Sequence, residues 1–500
     1  MRSSRQGQLF RAAEIIRFLR ALLCAAIALV INSQGLCAST FTWDGNSGTG
    51  GTKWSTGSNW DSDAAPGRSA GADLVFDSAF KLANTADGGS WTLNSLNFAS
   101  GAGAFTIDGS SLYVGAGGIT NSSSQLQTIN NSIRLTANQT WNASTGGLVF
   151  GSNYNNAQNN ALTLAGAGSI TVSGQLGNVS TLTTTDSGNR TFGGYINAGT
   201  VNVQGSGATT FNGQLNVSST INVGGSGSTS FGGYVSASTV NVQSTGATAF
   251  GDQLNVTSLN VTAGSNTFST VYATNLTVSS TADATFTGDL GANTIAINGS
   301  GNVTIGGQVD YGTLVLNGTG TTTLSGTTDN NISSTIVNSG TLVMAQADGT
   351  AINGSLVVNG GVVSFEGDNQ IPNWSSVTLT EGSMLLLNDT IQSFESLTIT
   401  GDTIIDFGGS GSTLNIGSIN VTDDAVLMII NWNNSLDSFI AQTNPSSSIV
   451  QVSFEGGATA GWTAGSGNIT PVPEPATYGT IFIGGMLGLF GYARWRARNR

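Results

Sequence analysis

The strongest constraint in this sequence is a bulky apolar residue that returns every 18 to 20 positions. Phe192, Phe211, Phe231, Phe250, Phe268, Phe286, Ile305 and Leu324 follow one another at intervals of 19, 20, 19, 18, 18, 19 and 19. Four positions after most of them stands a second apolar residue: Ile196, Leu215, Val235, Leu254, Leu290 and Val309. A third series runs through Val201, Ile221, Val240, Leu259, Leu276, Ile295 and Leu314. Segments 192–217 and 231–256 are identical at 18 of 26 positions, as expected of a recent duplication. A chain with such a period is a repeat architecture rather than a set of independent domains.

Within one copy, Val201 and Val203 flank Asn202, an alternation of period two that predicts a strand. Gly205-Ser206-Gly207 and Gly224-Gly225-Ser226-Gly227 then supply tight turns. A unit of about 19 residues cannot bury its own apolar face, but stacking it ~4.8 Å from its neighbours does so and also pairs its backbone. The expected fold is all-β, a right-handed parallel β-helix over residues 91–430, of roughly eighteen rungs and ~80 Å in length. Disorder would not require β-branched residues at fixed spacing. A β-sandwich would need hairpin turns every eight to twelve residues.

Charge is scarce and unevenly placed. Of 14 basic residues, Arg2, Arg5, Arg11, Arg17 and Arg20 precede an apolar run and Arg494, Arg496, Arg498 and Arg500 end the chain. Between them, 26 acidic groups face only Lys53, Arg68, Lys81, Arg134 and Arg190, and residues 191–493 contain no Lys, Arg or His. Such a surface repels polyanions, so nucleic acid is not an expected partner.

Residues 21–31 (ALLCAAIALVI) would span ~16 Å as a helix, against the ~30 Å of a hydrocarbon core. Basic residues before this run and small residues at Cys37-Ala38-Ser39 predict a signal peptide over 1–38, read by the Sec machinery. Cys24 lies in its apolar region and Cys37 at the expected cut, so the exported chain is expected to be free of cysteine and disulfides. Residues 476–493 (ATYGTIFIGGMLGLFGYA) are uncharged and would span ~27 Å, enough for one transmembrane helix. The four arginines after it place the tail in the cytoplasm.

Just before that helix stand Val472, Pro473, Glu474 and Pro475. This VPEP motif, one apolar helix and a basic tail of Arg494, Arg496, Arg498 and Arg500, in that order over 471–500, resemble the PEP-CTERM sorting signal of diderm bacteria. The resemblance implies recognition and cleavage by an exosortase, transfer to the cell surface, and an exopolysaccharide-producing cell. The same type of segment also occurs on some ice-binding proteins. A plain tail anchor, never cut, is the alternative.

Residues 39–90 hold Trp43, Trp54 and Trp60 among glycines and are expected to form an N-terminal cap, as 431–470 do at the other end. The opening W-D-G…W…N-W-D, with the texture of the rungs, resembles autotransporter-associated β-strand repeat proteins. The same three tryptophans could instead offer a platform on which sugar rings stack.

Chemistry finds little to work with. Histidine is absent, which removes nucleophilic triads and the commonest metal ligand. A lyase needs a basic residue near the sugar acid, and the stack beyond 190 has none. Asp423-Asp424 is the only adjacent acidic pair in the stack, and neighbours on a strand point to opposite faces. No cofactor and no metal site is expected. The function expected is a non-enzymatic structural or adhesive role in exopolysaccharide. An ice-binding or adhesin-like protein is the alternative, and a polysaccharide-degrading enzyme stands further off. Against ice binding, no Thr-x-Thr recurs once per rung; against an autotransporter passenger, the chain ends in an apolar helix rather than a β-barrel.

Overall fold

One turn of the chain is built from a short strand, Thr209–Phe211, a three-residue corner, a long strand, Leu215–Val223, and a glycine turn that leads into Thr229–Phe231. Each strand pairs in parallel with its counterpart one turn before and one turn after. Repetition of this unit gives a computed structural model that is a parallel β-solenoid of about 18 turns. The structure describes residues 38–45, 51–422 and 424–472. Nearly all of the expected signal peptide, Pro473, Glu474 and Pro475, the expected helix 476–493 and the arginine tail lie outside the described residues.

The three apolar series of the sequence become three inward columns. Phe192, Phe211, Phe231, Phe250, Phe268 and Phe286 pair in register, and their rings stack at centroid distances of 4.8, 5.0, 4.5, 5.3 and 5.0 Å, within 14° of parallel. Register rather than ring attraction sets this spacing. Identical residues on successive parallel strands must sit one strand apart, and stacking adds only about 0.5–1.5 kcal/mol per pair beyond burial.

The long strand turns a corner within itself. Leu215 and Val217 point inward, Ser218 and Ser219 are exposed, and Ile221 and Val223 point inward again. Here the uneven repeat is absorbed: Ala198 and Thr200 pair with Val217 and Thr220, so the later rung holds one extra residue at the bend. Core columns stay in line because insertions fall in corners.

The turns stack as closely as the strands. A Cβ placed on Gly227 would stand 2.2 Å from the carbonyl oxygen of Gly207 one rung below. Only glycine fits such an approach. Just below these turns lies the one buried guanidinium among the described residues. Arg190 is 1% exposed, and it donates to the carbonyls of Gly168 at 2.8 Å, Gly166 at 2.7 Å, Thr185 at 3.1 Å and Asn189 at 3.2 Å. Burial pushes its pKa below the ordinary arginine value, against the opposing pull of Asp186.

Parallel pairing extends past both ends of the expected 91–430. It begins where Thr40–Trp43 pairs with Ala72–Phe76 and runs to Val452–Phe454. The period is hard to see at the start because residues 44–71 interrupt it. At the far end Ala458–Trp462 and Ile469–Pro471 turn antiparallel, which closes the stack. Replacing Gly227 by Ala is expected to cost about 1–3 kcal/mol. The same change at Gly224, where an added Cβ meets nothing within 4 Å, should be nearly neutral. Thermal unfolding of the two variants side by side measures this.

Candidate functional site

Because each strand gives its inward positions to the core, function has to be sought on the outward columns. The first half of the long-strand sheet carries an ordered one. Tyr154 pairs with Gln175, and backbone bonds from Leu176 to Tyr195, Ile196 to Gln214, Leu215 to Tyr234 and Val235 to Gln253 continue the register. Successive rungs thus present Tyr154, Gln175, Tyr195, Gln214, Tyr234 and Gln253, a strict alternation of phenol and amide. Two residues along each strand runs a second column, in which Asn197, Asn216, Ser236, Asn255, Tyr272, Gly291 and Tyr311 pair in turn.

The columns hold each other in place. Asn156 donates to the Tyr154 hydroxyl at 2.7 Å, Asn216 to that of Tyr195 at 3.1 Å, and Asn255 to that of Tyr234 at 3.1 Å. Gln214 donates to Asn216 Oδ1 at 3.1 Å and Gln253 to Asn255 Oδ1 at 2.8 Å. Since each phenol oxygen accepts from its amide, its own O–H is left to donate outward. The rings lean across the strand: a Cβ on Gly177 would lie 3.5 Å from the Tyr154 ring, and one on Gly291 would meet Tyr272 and Tyr311 at 2.8 Å each. Glycine at 291 makes room for the two aromatic rings beside it. Tyr154 and Tyr311 are 41% and 43% exposed.

Electrostatically this face is quiet. No charged side chain stands in either column from Tyr154 to Asn255. Near its end, partial burial followed by the carboxylates of Asp310 and Asp289 raises the Tyr272 pKa above the ordinary tyrosine value. A shallow groove lined by Gln253, Asn255, Thr257, Tyr272 and Tyr311 runs here.

The second half of the same sheet carries Thr200, Thr220, Thr239 and Ser258 in one column and Asn202, Asn222, Asn241 and Asn260 beside it. The asparagine amides bond to one another at 2.9 Å from rung to rung. Such a ladder ties rungs together.

Trp43, Trp54 and Trp60 are each fully buried. Trp43 meets Trp60 edge-on at 5.2 Å, Trp54 meets Trp91 at 5.2 Å, and Trp54 Nε1 donates to Asn84 Oδ1 at 2.7 Å. None of these three indoles has a face open to a sugar, so the stacking role expected as one possibility for them is corrected: they seal the first rung. The cause is the solenoid's need to cover its terminal apolar layer. Of the sorting motif, Val472 alone is described; its N–H donates to Thr459 O at 2.8 Å at the end of the closing hairpin.

Among the described residues no group of three or more His, Cys, Asp or Glu is placed to hold a metal ion. Glu381 and Asp402 border a cleft with Met384, Ile404 and Met428. Their oxygens accept the backbone N–H groups of Asp402 and Val426 at 3.2 and 2.9 Å, which binds turn to turn. Trp54→Ala is expected to destabilise the N-terminal cap by about 3–5 kcal/mol. Trp374→Ala, at a position 64% exposed, should change stability by no more than about 0.5 kcal/mol. Denaturant unfolding of both variants tests the assignment. Comparison with family models, curated proteins and solved structures finds nothing that matches this chain.

Proposed function

We propose that the protein is an exported, non-enzymatic rod of the cell surface or extracellular matrix, with a structural or adhesive role in exopolysaccharide. One observation carries this: an unbroken solenoid of about 18 turns, with a tryptophan-sealed first rung and an antiparallel final hairpin, whose outside is polar, acidic overall and almost without basic side chains. A stiff rod with repeated polar faces suits a scaffold embedded in polymer. We take its winding as right-handed, the general rule for parallel crossover connections.

Delivery follows from the two ends of the sequence. The signal peptide 1–38 sends the chain through the Sec machinery, and the helix 476–493 with its four arginines holds it in the membrane, tail inward. Val472, Pro473, Glu474 and Pro475 then serve as the exosortase motif, resembling PEP-CTERM signals. Pro473 and Pro475 lack backbone donors, and proline disfavours helix in the residue before it, which suits a protease substrate.

Replacing Glu474 by Ala, or deleting 476–500, is expected to abolish transfer to the matrix. Quantitative immunoblots of membrane and matrix fractions measure it. Equal amounts in the matrix with and without the change would refute the sorting assignment. Reducing ends or unsaturated uronates released from a polysaccharide panel would overturn the non-enzymatic assignment.

A further inference from the structure

We propose that the Tyr/Gln column and the amide column beside it form a track for one extended, uncharged polysaccharide chain lying along the rod axis. The proposal rests on the matrix location put forward above and adds to it a face, a direction and a class of sugar.

Periodicity is the first support. Tyr154, Tyr195 and Tyr234 occupy alternate rungs, and strands stand ~4.8 Å apart, so the phenols recur about every 9.6 Å. An extended chain of equatorially linked pyranoses advances by about one such rung per ring and presents the same ring face again at every second ring. A tyrosine can therefore meet one ring of each disaccharide, and the glutamine between them meets the next. The strand spacing and the rise per sugar ring are independent but similar lengths, so tyrosines and disaccharides run nearly in step over the few rungs of the column.

Chemistry is the second. Pyranose rings have apolar C–H faces and a rim of hydroxyls. Aromatic side chains cover the first, and amides, which donate and accept, satisfy the second. The Tyr195 and Tyr234 hydroxyls are already fixed by Asn216 and Asn255, and Gln214 and Gln253 are bonded to the same two asparagines. Little side-chain freedom remains to be lost on binding, which favours affinity. Nothing in the core uses these side chains; Tyr154 is exposed, and Tyr195 and Tyr234 are half-buried on the outward face.

Charge selects among polymers. Between Tyr154 and Asn255 the columns hold no cation to recognise a sugar acid; Arg134 pairs with Asn156 one rung before the track, and the chain carries no Lys, Arg or His from 191 to 493. Acidic polymers are repelled by the surrounding carboxylates. An uncharged glycan is the occupant that fits.

The test is affinity electrophoresis of the full-length protein in mild detergent through gels containing hydroxyethyl cellulose, an uncharged β-1,4-linked glucan, or alginate, an acidic polymer. Retardation by the glucan and not by alginate is expected. Tyr195→Ala with Tyr234→Ala should weaken the glucan interaction about tenfold or more. Tyr195→Phe with Tyr234→Phe should keep most of it, because the rings remain. Thermal unfolding shows whether both pairs retain the stack. Absence of retardation, equal retardation by alginate, or undiminished binding by the folded alanine pair would overturn the track. Lost glucan binding with exosortase-dependent release intact counts against the track alone. Glucan binding with release indifferent to Glu474 supports the track and counts against the sorting assignment.

Discussion

Parallel, in-register pairing between consecutive turns is the interaction from which the rest of this molecule follows. Each rung contributes only a few buried side chains, too few to hold about nineteen residues in place against their conformational entropy. A rung stacked on both sides hides those side chains completely and pairs nearly all its backbone groups laterally. The consequence is visible in chemistry that repeats: phenylalanine on phenylalanine inside, asparagine on asparagine outside, glycine on glycine at the turns. A residue that departs from its column has to be accommodated by its neighbours. Arg190 is such a case: it stands between Ile170 and Thr209 in an inward column and satisfies turn carbonyls in place of packing.

Stability carried in this way leaves the outside free. Charge is not needed for pairing, and the described stack beyond Arg190 uses no basic side chain. The outward positions can therefore be tuned for contact with something else over the length of the rod. Any pattern placed there is repeated with the strand spacing, so the natural ligand of such a surface is one with a matching repeat. The alternation of tyrosine and glutamine is a pattern of that kind, whereas the tryptophans at the end of the rod serve closure.

Much of the fold could be read directly because identical residue types mark the columns. The phenylalanine series and the Val201 series are in register throughout as their spacing indicated. Val271 escaped notice because the corner before it is one residue shorter, so it stands three positions after Phe268 instead of four; pairing with Leu254 and Leu290 puts it in the column. The Tyr/Gln face was invisible for a related reason. Its members differ from rung to rung, and their intervals drift with the corner insertions, so only the register aligns them. For the tryptophans, sequence offered both burial and exposure, and a platform residue and a cap residue look alike until the covering strand is known. Packing against Phe76 and Trp91 decided it.

Pulsed electron-electron resonance distances along one outward column test the stacking most directly. Thr191, Thr210, Ser230, Ala249, Thr267, Thr285, Thr304 and Thr323 follow one another in register on the short-strand sheet. With Cys24 and Cys37 replaced by Ser, spin labels on Thr191→Cys and a second site should give narrow distributions that lengthen by ~4.8 Å for every rung added. That makes ~24 Å to Thr285→Cys and ~34 Å to Thr323→Cys. Broad distributions, or distances that fail to grow in step with the rung count, would contradict the stack.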